Sequence, residues 1–409
     1  MIALRPLVLT ALLASLPARG FADDEPRDAM LPEGLAIHVG KLVTMDDEDS
    51  IHQPGVIVIE DGKIVYVGGP AGAPRGYRVL EYPDAWAIPG MVDLHTHIMG
   101  GGRDINDMVR AVNPELRVSA CLQPGNPRID LACASGITTL FGIPGSGTNM
   151  GGFGVLYKTK TDSTYDGVVI ADPGGLKVAQ DSNPHRRNAT DFGVSRAGQA
   201  WNLTDVNDRA VAALEQGRFD LALEDLKRVH TKELPVLIHT AGSDGAVNTA
   251  RMWRETYDTR SVLSHGSFDG WKVAEAVARY GIPVNHGPRT MDWFSSRNGR
   301  INGSAAEYAK AVGRDFSLNT DSGVVAEEQF FLQGAMAARY GGDPYEMLRA
   351  LTINPAKTFG IDDRVGSLEP GKDADIVIRR GDPMDPRGAV ELVLIDGVIQ
   401  YDRRDGQWF

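Results

Sequence analysis

Residues 88–102 read IPGMVDLHTHIMGGG, a short apolar run that ends in two of the chain's nine histidines and then in three glycines. On a β-strand, residues i and i+2 point to the same face, so His95 and His97 are expected to project side by side. Two imidazoles aimed at one point form a natural chelate for a divalent metal ion. A surface strand with two polar positions is the alternative explanation of such a pair.

Three later apolar runs end in the same manner. LPVLIHTAG leads into His239, RSVLSHGS into His265 and DFSLNTDSG into Asp321, each followed closely by glycine or small residues. Barrel enzymes keep their active sites at such strand ends. Any one of these residues alone would more often be structural, but four such strand ends in one chain favour a metal centre.

The middle of the chain, residues 89–360, alternates short apolar runs with amphipathic stretches such as DRAVAALEQGRFDLALEDLKRVHT at 208–231. Strands that alternate with helices predict βα units and a parallel sheet. At this length the pattern favours an α/β fold of the (β/α)8 TIM barrel type. A doubly wound open sheet is the alternative architecture.

Both flanks of this middle region are rich in short strands. Residues 30–88 and 361–409 each carry an Asp-Gly pair between two β-rich runs, Asp61-Gly62 and Asp396-Gly397, which is a strong hairpin signal. We therefore predict one small β-sandwich domain formed by both chain ends, with the barrel between them.

Composition narrows the range of partners. The 409 residues carry a formal net charge of -12, which argues against a nucleic-acid partner. Residues 1–22 have the features of a signal peptide, which predicts an exported protein, periplasmic or secreted, with no membrane contact after cleavage. An uncleaved N-terminal anchor is the alternative. Cys121 and Cys133 could pair in that setting or remain buried thiols.

Several of these motifs together resemble the amidohydrolase superfamily of metal-dependent hydrolases. IPGMVDLHTH is similar to the first-strand motif of that family, and LTINPAKTFGIDDRVGSLEPGKDADIVI, residues 351–378, is similar to its closing segment. GSGTNMGGFG at 145–154 resembles a loop of imidazolonepropionase-like members. The resemblance implies two metal positions, whose ligands would be His95, His97 and Asp321 for one ion and His239 and His265 for the other.

The same resemblance points to Lys177, which follows a predicted strand and stands where members with two metals carry a carboxylated lysine. A free ammonium cannot bind a cation, whereas a carbamate can do so through its oxygens. The alternative is a solvated or substrate-binding lysine beside a single metal. Zinc is the expected ion, although these ligands also accept iron, manganese or cobalt. Asp321 is expected to serve as both ligand and general acid/base.

Further candidates for substrate binding lie nearby in the sequence. His286 and Arg289 follow a predicted strand and could hold a substrate carbonyl or carboxylate, and Tyr157 follows the glycine-rich loop. A structural role is the alternative for each. The expected reaction is hydrolysis of a C–N bond in a small amide, cyclic amide or peptide-like molecule. The alternatives are a mononuclear heterocycle deaminase and a noncatalytic binding protein, and a homo-oligomer is possible.

Overall fold

A computed structural model describes residues 34–70, 74–101, 104–161, 164–186, 192–292 and 299–405. The predicted signal peptide, residues 1–22, lies outside these ranges. In chain order the strands of the described part are β1 Leu35–Val43, β2 Ile51–His52, β3 Gly55–Glu60, β4 Lys63–Gly68, β5 Arg78–Pro89, β6 Met91–Thr96, β7 Ile137–Gly142, β8 Met150–Lys158, β9 Val169–Ala179, β10 Val236–Ala241, β11 Ser261–Ser267, β12 Val284–His286, β13 Phe316–Leu318, β14 Ile376–Arg380, β15 Val390–Ile395 and β16 Val398–Asp402.

The α-helices follow the barrel strands or connect them. Within the described ranges they are α1 Pro127–Ala134, α2 Tyr165–Val168, α3 Arg196–Glu215, α4 Glu224–His230, α5 Ser243–Ala250, α6 Ala274–Ala278, α7 Ser304–Val312, α8 Phe330–Arg339, α9 Pro344–Leu351 and α10 Ile353–Phe359. None of these helices is both long enough and apolar enough to cross a membrane.

One sheet draws its strands from both ends of the described chain. Its order is β16-β15-β14-β5-β1-β3-β4, with β2 paired to β1. Strand β5 pairs with β1 in parallel and with β14 in antiparallel orientation, so it joins the N-terminal strands to the C-terminal ones. The expected second β domain from both chain ends is confirmed, and its strands form one continuous hydrogen-bonded sheet.

Both predicted Asp-Gly hairpin turns form in this sheet. Asp61 and Gly62 have φ of 46° and 78°, and Asp396 and Gly397 have φ of 49° and 72°. Positive φ at both central residues is the requirement of the type I′ turn, whose twist matches that of the flanking strands. Aspartate and glycine tolerate this backbone better than other residues, which explains why both hairpins were visible in the sequence.

The second sheet forms the predicted (β/α)8 barrel. Its order is β13-β12-β11-β10-β9-β8-β7-β6, and an isolated parallel bridge between Thr96 and Ser322 joins its two edges. Strand β8 is antiparallel to both of its neighbours. Only residues 143–149 separate β7 from β8, and a parallel crossover needs a longer connection.

The barrel strands place the candidate ligands at one edge of the sheet. Strand β10 is buried along its whole length, as expected for a parallel strand covered on both faces. His95 lies near the end of β6, His239 near the end of β10 and His265 near the end of β11, while Asp321 follows β13. Because the carboxyl ends of parallel strands meet at one edge, these side chains converge.

An ion cluster joins the barrel to the β domain at the opposite edge. Lys158, at the end of β8, is 2% exposed, and its ammonium lies 2.7 Å from Asp373 Oδ2 and 3.0 Å from Asp375 Oδ1. It also contacts Asp396 of the β15–β16 turn. Cys121 and Cys133 are not paired, and Cys133 is buried.

Candidate metal centre

Three imidazoles converge on the carboxylate of Asp321. The Nε2 atoms of His95 and His97 lie 3.3 and 3.2 Å from Asp321 Oδ1, and Nε2 of His265 lies 4.0 Å from Oδ2. His95 is fully buried and His265 nearly so, whereas the His97 and Asp321 side chains are 17% and 18% exposed. The cluster is therefore reached from solvent on the side of His97 and Asp321.

Each of these imidazoles uses its other ring nitrogen to contact a protein oxygen. The pairs are His95 Nδ1 with Ser264 Oγ at 2.8 Å, His97 Nδ1 with the Ile143 carbonyl at 2.9 Å, and His265 Nδ1 with the Gly287 carbonyl at 2.8 Å. A carbonyl can only accept, so Nδ1 of His97 and of His265 carries the proton. Their Nε2 atoms then present a free lone pair to the centre, as metal-binding histidines do.

The donor set fits a divalent metal ion. Nitrogen and oxygen atoms of His95, His265 and Asp321 lie within 4.8 Å of one another. Nε2 of His265 is buried and makes no hydrogen bond to any described residue. Leaving a buried polar atom without a partner costs free energy, and a cation between these groups would satisfy it.

Lys177 and His239 complete the cluster. The Lys177 ammonium donates a 2.8 Å hydrogen bond to Ser146 Oγ and lies 3.4 Å from His95 Nε2. The ring of His239 lies 4.6 Å from that of His265, centroid to centroid. The structure thus brings together all six residues that the sequence analysis assigned to the metal.

Burial dominates the electrostatics of the cluster. Burial lowers the pKa of Lys177 to about 7. Burial also lowers the pKa of His95, and the nearby charge of Lys177 lowers that pKa further. Burial alone would raise the pKa of Asp321, but His265, His97 and Lys177 outweigh it and lower the pKa. Burial also lowers the pKa of His265, so at neutral pH the site offers neutral imidazoles at His95 and His265 and an ionised carboxylate at Asp321, which are the ligand forms.

Two candidate ligands sit on strained backbone. His265 has φ of 72° and Asp321 has φ of 50°. Non-glycine residues adopt this left-handed region at a cost, and such residues persist where the surrounding structure holds them, often at active sites. The strain supports a functional role for both side chains.

Two buried carboxyl groups beneath the cluster were missed by the sequence analysis. Asp93 is fully buried, and Glu327 is 2% exposed and lies against it. Burial raises the pKa of Asp93 to about 7, and burial together with Asp93 raises that of Glu327 well above its usual range. Asp93 precedes His95 by two residues, so the strand alternation could have identified it, whereas no local pattern indicates Glu327.

Two of the residues predicted to contact the substrate, Tyr157 and His286, are fully buried. Tyr157 is fully buried in the apolar core, because antiparallel β8 carries its end to the far edge of the barrel, where Lys158 pairs with Thr139 of β7. His286 is also fully buried, and its ring nitrogens contact the His265 carbonyl and Ser304 Oγ. These surroundings favour the structural alternative for both residues, and their contact with substrate stays a prediction.

Arg289 differs from these two residues. It lies on the loop that follows β12 and is exposed. Its guanidinium therefore remains a candidate for binding a carboxylate group of a substrate, as the sequence analysis expected.

Comparison with known proteins agrees with this geometry. Residues 219–400 match the amidohydrolase family. The crystal structure of an amidohydrolase from Thermotoga maritima MSB8 superimposes with a TM-score of 0.81 at 28% identity, covering 90% of this chain and all of that one. The imidazolonepropionase of Paracoccus denitrificans is 25% identical over 384 residues, 84% of this chain and 92% of that protein.

A longer relative matches as well. The amidohydrolase tasK of Hapsidospora irregularis is 23% identical over 392 residues, which cover 85% of this chain but only 40% of that protein. The family match and these likenesses support membership of the amidohydrolase superfamily, a group of hydrolases that act on carbon–nitrogen bonds and generally use divalent metal ions.

Proposed function

We propose that this amidohydrolase uses divalent metal ions to hydrolyse a C–N bond in a small amide, cyclic amide or peptide-like molecule. The observation that carries the proposal is the arrangement of three imidazoles, each held at Nδ1 by a protein oxygen and each turning Nε2 toward Asp321. Outer contacts of this kind fix the tautomer and orientation of metal-binding histidines.

The proposed ligand assignment uses all six clustered residues. His95, His97 and Asp321 would hold one ion, and His239 and His265 would hold the second. Zinc is the proposed metal, because imidazole and carboxylate ligands at neutral pH suit it well.

Lys177 is proposed to bridge the two ions after carboxylation. As an ammonium it would repel a cation, and burial already favours its neutral amine. The amine nitrogen would attack the carbon of CO2, forming the N–C bond and releasing one proton, and the resulting carbamate would supply two oxygen ligands. Ser146, 2.8 Å from Nζ, stands where it could donate to a carbamate oxygen.

When bound, the metal would lower the pKa of water from about 15.7 to about 7 and polarise the substrate carbonyl. The protein itself supplies the proton transfers. Asp321 is ionised and faces the solvent-accessible side of the cluster, so its carboxylate can accept a proton from the attacking water. The same group can then donate that proton to the departing nitrogen.

The direct test is a substrate screen with the zinc-loaded protein. Dipeptides, N-acyl amino acids and cyclic amides would be assayed for new amine and carboxylate groups, with Asp321→Asn as the blank. We expect turnover in at least one class and a rate about 10²- to 10⁴-fold lower in the blank. Ammonia release from aminopurines instead would establish a deaminase, and equal signals in protein and blank would refute hydrolysis at this site.

We also propose that residues 1–22 direct export to the periplasm or the extracellular medium. The positive start at Arg5, the apolar run and the small residues around position 22 support this. N-terminal sequencing of the protein from expressing cells should find a chain that begins near residue 23. A cell-associated chain that begins at residue 1 would contradict the proposal.

A further inference from the structure

The carboxylate of Asp93 ties together two segments that carry candidate ligands. Its Oδ1 accepts a hydrogen bond of 2.8 Å from the backbone N–H of His95. Its Oδ2 accepts two from Thr320, one from the backbone N–H at 2.9 Å and one from the hydroxyl at 2.7 Å. One side chain thus joins strand β6 to the loop after β13.

These hydrogen bonds of Asp93 hold a segment whose backbone is strained. Asp321 has φ of 50°, and its two neighbours are both anchored. Thr320 is held by Asp93, and the Ser322 carbonyl accepts a 2.7 Å hydrogen bond from the backbone N–H of His97. A non-glycine residue in the left-handed region is strained and persists only where its surroundings hold it, so these anchors keep the Asp321 carboxylate facing the imidazoles.

Glu327 closes the buried side of the same junction. Its side chain lies against Asp93, Thr96 and Thr320 and is 2% exposed. Asp93 makes no salt bridge with any described residue. The three hydrogen bonds that it accepts from His95 and Thr320 come from backbone and hydroxyl donors.

We propose that Asp93 is a positioning residue for the metal centre, which holds His95 and Asp321 at the separation that one cation requires, with Glu327 packed behind it. The inference rests on the proposed metal-dependent function. Loss of such an outer contact typically weakens metal binding by about 10- to 100-fold.

The test measures metal affinity in the absence of substrate. Apo protein would be titrated with Zn²⁺ against a chromophoric chelator, and with Co²⁺ to record the visible absorption bands that report ligand geometry. In Asp93→Asn the new NH2 group must face a donor, either the His95 N–H or Thr320, so one tether is lost. Thr320→Val removes the hydroxyl, which also accepts a 3.2 Å hydrogen bond from the Ser322 N–H, but it keeps the backbone N–H bond to Asp93, so it should cause a smaller loss.

Asp375→Asn is the matched control. Asp375 is also a buried aspartate that accepts a backbone N–H, from Asp396 at 3.0 Å, but it lies at the junction with the β domain. We expect Asp93→Asn to weaken Zn²⁺ binding at least tenfold and to change the Co²⁺ spectrum, while Asp375→Asn binds Zn²⁺ as the wild type does.

Wild-type affinity in Asp93→Asn, or an equal loss in Asp375→Asn, would overturn the inference and leave the proposed function standing. If Asp93→Asn does not fold, Thr320→Val decides by the same criterion, with unchanged affinity counting against the inference. A wild-type protein that binds no Zn²⁺ or Co²⁺ would overturn both the inference and the proposed function.

Discussion

Replacing Lys158 by methionine should destabilise the protein through one orphaned carboxylate. Lys158 contacts three aspartates, but two of them have other cations. Asp373 keeps Lys63 and Arg364, and Asp396 keeps Lys160. Asp375 has no other cationic partner among the described residues, so the substitution leaves one buried charge uncompensated.

The size of the expected destabilisation follows from this one uncompensated charge. Breaking one buried ion pair by removing a single partner costs about 3–5 kcal/mol, and methionine fills most of the volume of the lysine stem. Burial already raises the pKa of Asp375, and Lys158 opposes that rise. Without Lys158, the folded-state pKa of Asp375 rises further above its unfolded value. The stability deficit of the variant should therefore shrink as the pH falls.

The assay is urea unfolding followed by circular dichroism and tryptophan fluorescence at several pH values. Lys160→Met is the control, because Lys160 is 22% exposed and its partner Asp396 keeps Lys158, so a loss of about 0–1 kcal/mol is expected. The double variant Lys158→Met/Asp375→Asn should recover much of the loss. A deficit below about 1 kcal/mol, or no recovery in the double variant, would refute the reasoning.

Four further outcomes are expected. Asp321→Asn should lower kcat by about 10²- to 10⁴-fold, because it removes the proposed proton acceptor, and retained turnover would exclude that role. Zinc at about 100 times its dissociation constant should stabilise the folded protein by about 2.7 kcal/mol, and a chelator should remove this gain; identical unfolding curves with and without zinc would contradict a metal centre. Tyr157→Phe should leave kcat/KM unchanged, because Tyr157 is buried away from the cluster, so a large rise in KM would restore it as a substrate contact. Burial raises the pKa of Asp373, but Lys158 and Lys63 outweigh burial and lower this pKa to about 2, so the ionised carboxylate stabilises the fold above its ordinary pKa of 3.8 and this contribution disappears as the pH falls toward 2. The free energies of urea unfolding of Asp373→Asn and of the wild type should therefore converge near that pH. A difference between them that grows in acid would be evidence against this pairing.

The predicted metal ligands that the structure brings together share one property. His95, His97, His239, His265 and Asp321 each stand at or just after the end of an apolar strand. Strand periodicity and the shared edge of a parallel sheet then imply convergence without any knowledge of distances. The Asp-Gly hairpins were visible for a similar local reason, since their backbone demands those residue types.

Tyr157 shows where local pattern is insufficient. Its apolar, glycine-rich surroundings have the composition of the other strand ends, but β8 runs antiparallel. Strand direction reverses which end of the strand lies beside the cluster, and it depends on pairing between segments rather than on composition. His286 ends a parallel strand, yet its two ring nitrogens contact the His265 carbonyl and Ser304 of α7.

The amino-acid sequence by itself determined the order of strands and helices, the two Asp-Gly turns and the set of side chains able to bind a metal, because these follow from short-range periodicity and residue chemistry. Only the tertiary structure decided that Nδ1 of His95, His97 and His265 meets a protein oxygen, that β8 reverses, and that Asp93 and Glu327 lie together beneath the cluster. Such contacts join residues up to 234 positions apart, such as Asp93 and Glu327. These contacts arise from packing in three dimensions, and no local feature of the sequence indicates them.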